Sequence, residues 1–127
     1  MTLNKYSKSN RLGRLQEDEG RLLFKQAVEG VKYIHDSGFC HRDLKVTNML
    51  ISPSKMRVKI IDFGFAVPAS RPLKMYCGTR SYMPPEIIQK KTYEGKPCDV
   101  WSLGVVLYKL LVGDYPFGGN HPINLNF

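Results

Sequence analysis

Between residues 41 and 62 the chain carries four side chains whose types and spacing suit one kind of chemistry. His41-Arg42-Asp43-Leu44-Lys45-Val46-Thr47-Asn48 supplies a carboxylate, an amine two residues on and a carboxamide three residues beyond that. Asp62-Phe63-Gly64 supplies a further carboxylate. Such a set can take a proton from a hydroxyl, neutralise a phosphate and hold Mg²⁺ through oxygen ligands. A lone loop Asp is normally a turn or cap residue. The Asn five residues after Asp43, at the spacing a metal partner needs, is what favours chemistry over that plainer reading.

These residues must be positioned by the elements around them. Glu17-Asp18-Glu19 opens a helix with acids where the helix dipole favours them. Leu23, Phe24, Ala27, Val28, Val31 and Ile34 follow at helical period as one buried stripe, and Ser37-Gly38 stops it. His35, near its end, reads as partly exposed and structural. Residues 39–44 form a short strand and loop that presents Asp43. Residues 48–51 form a second strand, turned by Ser52-Pro53-Ser54. Residues 55–60 alternate basic and apolar as a half-buried strand does. A hairpin of these two strands would bring Asp62 to the same edge as Asn48. Residues 65–85 show no sustained periodicity and hold Pro68, Pro72, Gly78 and Pro84-Pro85, and loops this long are usually functional. Asp99 opens a last helix, 99–112, apolar nearly all round and so expected to be central and buried. Residues 1–14 read as a basic surface helix or loop.

The pattern H-R-D-L-K-x-x-N followed by D-F-G resembles the catalytic core of eukaryotic protein kinases. Gly78-Thr79-Arg80-Ser81-Tyr82-Met83-Pro84-Pro85-Glu86 is similar to the segment that receives the substrate in that family, with Pro84 where relatives have Ala. Asp99-Val100-Trp101-Ser102-Leu103-Gly104 is similar to its D-x-W-S-x-G helix. The resemblance implies an α+β, mostly α fold: the large lobe of a kinase, with a small β-hairpin carrying the catalytic and metal-binding loops. Its parts would be a catalytic loop at 41–48, an activation segment at 62–86 and a central helix at about 99–112, all in one partial domain over 1–127. No G-x-G-x-x-G and no V-A-I-K precedes His41, so the small lobe is expected to be absent. Glu86 pairs in relatives with an Arg far downstream, which this chain does not reach.

The same resemblance implies roles. Asp43 would accept the proton of the substrate hydroxyl, Lys45 would sit over the transferring phosphate, and Thr79 would hydrogen-bond both. Asn48 and Asp62 would hold Mg²⁺ on ATP, with Lys45 also at the phosphates and Leu50 beneath adenine. Asp99 would hold the catalytic loop through backbone N–H groups, although a helix N-cap looks the same in sequence. His41 and Phe63 would stack. Lys two residues after the Asp resembles serine/threonine enzymes, whereas tyrosine kinases generally carry Ala and Arg in this part of the loop. The implied activity is ATP- and Mg²⁺-dependent phosphoryl transfer to Ser or Thr of a protein substrate, in a truncated domain. Phe65-Ala66, Cys77-Gly78-Thr79 and Tyr115-Pro116-Phe117 resemble the calcium/calmodulin- and AMP-activated-kinase-like branch. Met75 stands where relatives carry the activating phospho-Thr and Val67 where they often carry a basic residue. An apolar contact between the two is expected to order the loop without phosphate.

Composition narrows the alternatives. At 127 residues, with 43% apolar and 24% charged, the chain suits one soluble globular domain. No stretch reaches the roughly 18 apolar residues a membrane helix needs, and residues 1–10 have no signal-peptide core, which predicts cytoplasm or nucleus. Cys40, Cys77 and Cys98 are odd in number and form no C-x-x-C pair, against a disulfide framework or a zinc site. The net charge of +8 raises nucleic-acid binding, but Lys and Arg are scattered and not interleaved with aromatics. A solvated basic surface explains it better. A non-catalytic interaction module derived from a kinase is the remaining alternative.

Overall fold

The computed structural model describes residues 1–117, so the last ten residues of the expected 1–127 span lie outside the described residues. Helices α1 (Leu3–Ser9), α2 (Glu17–Asp36), α3 (Pro85–Ile88) and α4 (Gly95–Val112) surround two small antiparallel strand pairs. Strand β1 (Phe39–Cys40) pairs with β4 (Val67–Pro68), and β2 (Met49–Ser52) pairs with β3 (Arg57–Ile60). The architecture is mostly helical with a small sheet, as the sequence predicts, plus a second two-stranded pair that it did not suggest.

Helix α2 buries Leu23, Ala27, Val31 and Ile34, four of the six stripe residues. Phe24 is half-buried against the same core, and Val28 lies outside it, 39% exposed. The helix stops where expected: Ser37 closes it, and Gly38 takes φ +88°, a conformation that penalises any Cβ. Gln26 on α2 fastens the hairpin. Its Nε2 donates to Met56 O at 2.8 Å and its Oε1 accepts from Val58 N at 2.9 Å. The period-two reading of β3 holds, with Val58 and Ile60 packed inward against the core and Arg57 and Lys59 exposed. The strand starts two residues later than expected, because Met56, at φ +49°, belongs to the turn.

Three expectations need correction. The N-terminal segment is not merely surface. Thr2 Oγ1 caps α1 by accepting from Lys5 N at 3.1 Å, Leu3 is fully buried in the core, and Ile51 N donates to Met1 O at 2.9 Å. Helix α4 begins at Gly95, a full turn before Asp99, because Pro97 is tolerated in a first turn. Asp99 is therefore interior to the helix and is no N-cap. Nor is α4 buried all round. Leu103, Val106 and Leu110 enter the core, each worth about 1.5–3 kcal/mol of burial. Val100, Gly104, Tyr108 and Val112, one stripe at spacing four, face outward. The start of α4 lies against β1 so closely that a Cβ on Gly95 would run into Cys40 Sγ.

Candidate active site

Asp99 organises the site from beneath. Its carboxylate, 1% exposed, accepts from His41 N (2.8 Å), Arg42 N (2.9 Å) and His35 Nε2 (2.8 Å). Aiming two successive amides at one carboxylate goes with φ +70° at Arg42, a left-handed backbone that costs about 1–2 kcal/mol. Charge-assisted bonds of about 1.5–3 kcal/mol each offset that cost. His41 is fully buried and continues the brace. Its Nδ1 accepts from Asp43 N at 3.1 Å, so Nε2 carries the ring proton and donates to Ile61 O at 2.9 Å. Phe63 meets the His41 ring edge-on, centroids 5.0 Å apart, so the two aromatic residues pair as a T rather than a flat stack.

The loop so held presents Asp43 in a fixed orientation. Thr79 Oγ1 donates to its Oδ1 at 2.8 Å, and Asn48 Nδ2 donates to its Oδ2 at 3.2 Å and to its backbone O at 2.9 Å. Lys45 Nζ donates to Thr79 Oγ1 at 2.8 Å and lies 3.8 Å from Asp43 Oδ2. Thr79 thus receives a proton from the ammonium and gives its own to the carboxylate. It comes from 36 residues away, on a turn that needs Gly78: at φ +104° that residue leaves no room for a Cβ, which would meet Arg42 O at 2.8 Å. Asn48, with its nitrogen committed to Asp43, has its side-chain oxygen left for a cation.

Of the sequence-predicted residues, Asp43, Lys45, Asn48 and Thr79 form one hydrogen-bonded cluster. Asp62 stands apart from it. Ile61 N donates to Asn48 O at 2.9 Å, which closes the hairpin ladder, and Asp62 follows at φ +62°, exposed. Its Oδ1 accepts from Gly64 N at 3.2 Å. Leu50 lies on β2 between Lys59 and Thr2, its side chain on an exposed face. Among the described residues no three His, Cys, Asp or Glu side chains converge on a metal position. The oxygens available, from Asp62 and Asn48, suit Mg²⁺, which is held by one or two carboxylates plus phosphates and water.

The segment between Asp62 and α3 contains β4, a bridge from Leu73 to Tyr93 and a 3₁₀ turn at Arg80–Tyr82. Val67 and Met75, expected to meet each other, each have another partner. Val67 pairs with Cys40, and Met75 is 55% exposed with Sδ 4.0 Å from Arg42 Nη2. Arg42 instead donates from Nε to Phe65 O at 2.7 Å and from Nη1 to Tyr93 Oη at 3.1 Å. Ser102 on α4 holds the end of the segment, donating to Tyr82 O at 2.9 Å.

Sequence reasoning missed Tyr93 and understated His35, which joins Asp99 directly. Lys91-Thr92-Tyr93-Glu94 carries no signal that would single out the Tyr. Burial pushes the Tyr93 hydroxyl up to about 12, so it stays protonated and able to donate. Burial likewise pushes the Cys40 thiol to about 11 and the Cys98 thiol to about 12. All three cysteines are free and buried, and these two are poor nucleophiles. Glu86 receives Cys98 Sγ at 3.8 Å, a weak partner for a carboxylate. No helix among the described residues is long and apolar enough to cross a membrane.

Residues 1–126 match the protein kinase domain family. The serine/threonine-protein kinase SAPK3 of Oryza sativa subsp. indica is 50% identical over 109 residues, covering 83% of this chain and 32% of the relative. SRK2F of Arabidopsis thaliana is 52% identical over 110 residues, and SRK2A of Physcomitrium patens is 50% identical over 109; each match covers 83% of this chain and 31% of the relative. The chain spans about a third of the length of these relatives.

Proposed function

The chain belongs to the protein kinase domain family, and from that premise we propose that it encodes ATP- and Mg²⁺-dependent phosphoryl transfer to Ser or Thr hydroxyls of a protein. The observation that carries the reading is the closed set of contacts among Asp43, Thr79 and Lys45. It holds a carboxylate and an ammonium within 4 Å of each other, on one hydroxyl, in a partly buried position on a braced loop. Asp43 orients the acceptor hydroxyl and takes its proton as the oxygen attacks. Lys45 places positive charge beside the transferring group, where charge develops on its equatorial oxygens. Thr79 keeps the two from collapsing into a tight ion pair and fixes their directions.

Asn48 Oδ1 and the Asp62 carboxylate are the groups that would hold Mg²⁺, which neutralises phosphate charge when bound. Leu50, exposed on β2, would lie under the nucleotide base. We assign the chain to the larger, helical lobe, with the catalytic loop at 41–48 and the substrate segment at 62–86. We place it in the calcium/calmodulin- and AMP-activated-kinase-like branch, a reading supported by Phe65-Ala66, Cys77-Gly78-Thr79 and Tyr115-Pro116-Phe117, and in the cytoplasm or nucleus.

The test uses this chain completed with the flanking segments of a relative such as SAPK3. Asp43→Asn should abolish transfer to a Ser/Thr peptide, and Asp62→Asn should remove Mg²⁺-dependent nucleotide binding. Full activity in the Asp43→Asn protein would overturn the assignment.

A further inference from the structure

Arg42 is 9% exposed, and no ion pair to its guanidinium is found among the described residues. Its partners among the described residues are neutral: Phe65 O, Tyr93 Oη and, at 4.0 Å, Met75 Sδ. Tyr93, 4% exposed, grips the neighbouring segment at two levels. Its backbone pairs with Leu73 in both directions, at 2.7 and 2.9 Å. Its hydroxyl accepts from Arg42 Nη1 and donates to Met75 O at 2.6 Å, so one oxygen ties the loop before Asp43 to the segment before Thr79. Cys77 Sγ lies 3.8 Å from the same oxygen. Two residues later comes Thr79, on Asp43.

We propose that Tyr93 is a positioning residue for the Asp43–Thr79–Lys45 cluster, acting through residues 73–77 and locking that segment in place in the unmodified chain. Arg42 finds in the Tyr93 hydroxyl a neutral, buried acceptor. A hydroxyl with one proton and one accepting contact is satisfied by Met75 O and Arg42 together, which makes it a two-way coupler rather than a filler. The Met75 side chain, mostly exposed and at long range from Arg42, contributes little beyond its carbonyl. The proposal rests on the kinase reading only for what the cluster does. The clamp itself is a property of the fold.

Trypsin reports on it directly, because Lys74 lies between the two pinned residues Leu73 and Met75. The 127-residue chain is made in bacteria, shown by mass spectrometry to be unphosphorylated, and digested briefly. Cleavage after Lys74 is followed relative to cleavage after Lys90 and Lys91. Tyr93→Phe keeps the ring and the backbone pairing and removes only the hydroxyl. It should raise Lys74 cleavage about tenfold, the loss expected for two hydrogen bonds of ordinary net strength. Met75→Leu should leave the rate within about twofold of the parent. In ¹³C-methyl spectra the Thr79 signal should move in Tyr93→Phe while those of core Leu3 and Leu110 hold, a pattern that general destabilisation would not give. An unchanged Lys74 rate in Tyr93→Phe, or a parent chain cut there as fast as an unstructured peptide, would overturn the proposal. Neither readout involves catalysis, so an inactive Asp43 assignment and a failed clamp give separate results.

Discussion

Removing the carboxylate beneath the catalytic loop should cost more stability than any other single polar change in this chain. Asp99→Ala leaves the amides of His41 and Arg42 without an acceptor in a buried site, and frees His35 Nε2. Three bonds to a charged group, at about 1.5–3 kcal/mol each, would sum to more than is realised, because the loop relaxes and Arg42 escapes its left-handed backbone. An expected loss of about 3–5 kcal/mol follows, in line with removing one member of a buried polar pair. Asp99→Asn keeps one acceptor oxygen but turns an NH₂ toward a donor, so about 2–3 kcal/mol is expected. His35→Ala removes one contact at the rim and should cost about 1 kcal/mol. Urea unfolding followed by Trp101 fluorescence, two residues along α4 from Asp99, gives all three values. The order His35→Ala, Asp99→Asn, Asp99→Ala is the signature. An Asp99→Ala protein within about 1 kcal/mol of the parent would refute the reasoning.

In a protein completed with the flanking segments of a relative, Thr79→Val should lower kcat/KM by about 10–100-fold and Thr79→Ser should restore most of it, measured by peptide phosphorylation. Thr47, two residues beyond Lys45, is exposed and carries no charge; peptide-array profiling should show weak selection for an Arg upstream of the acceptor, with Thr47→Glu strengthening it. The two buried thiols make stability fall at alkaline pH. Their unfolded value is 9.0, and burial raises Cys40 to about 11 and Cys98 to about 12. Unfolded chains therefore bind fewer protons than folded ones in that window, and stability is full below pH 9.0 and declines from there to about 12. Urea midpoints across this range should fall less steeply in Cys98→Ala than in the parent.

The parts of the site that were legible in the sequence are those fixed by local spacing. Asp43, Lys45 and Asn48 share one loop, and the alternation of 57–60 reports a half-buried strand that ends next to Asp62. Thr79 was reachable only through resemblance, since nothing in Gly78-Thr79-Arg80 names a partner 36 residues away. Tyr93 and His35 were illegible for the same physical reason: a polar side chain's partner is set by tertiary packing, and Tyr and His look alike in sequence whether they face water or a guanidinium. The α4 boundary failed because Asp99 suits both a cap and an interior bridge. Leu3 failed because seven residues rich in Lys and Ser give too little apolar pattern to show a buried face.

Asp99 and Ser102 stand three residues apart on α4, on one face of a continuous helix. One receives the loop that carries Asp43, and the other holds the turn that follows Thr79. The two halves of the cluster therefore share a base on the same 18-residue rod, in addition to the bonds they make to each other. Tilting or sliding α4 would carry both together, leaving the 2.8 Å contact between Thr79 and Asp43 nearly unchanged. Bending α4 within the turn between residues 99 and 102 would change it at once. The site is thus insensitive to how the rod sits in the fold and sensitive to whether that one turn stays straight.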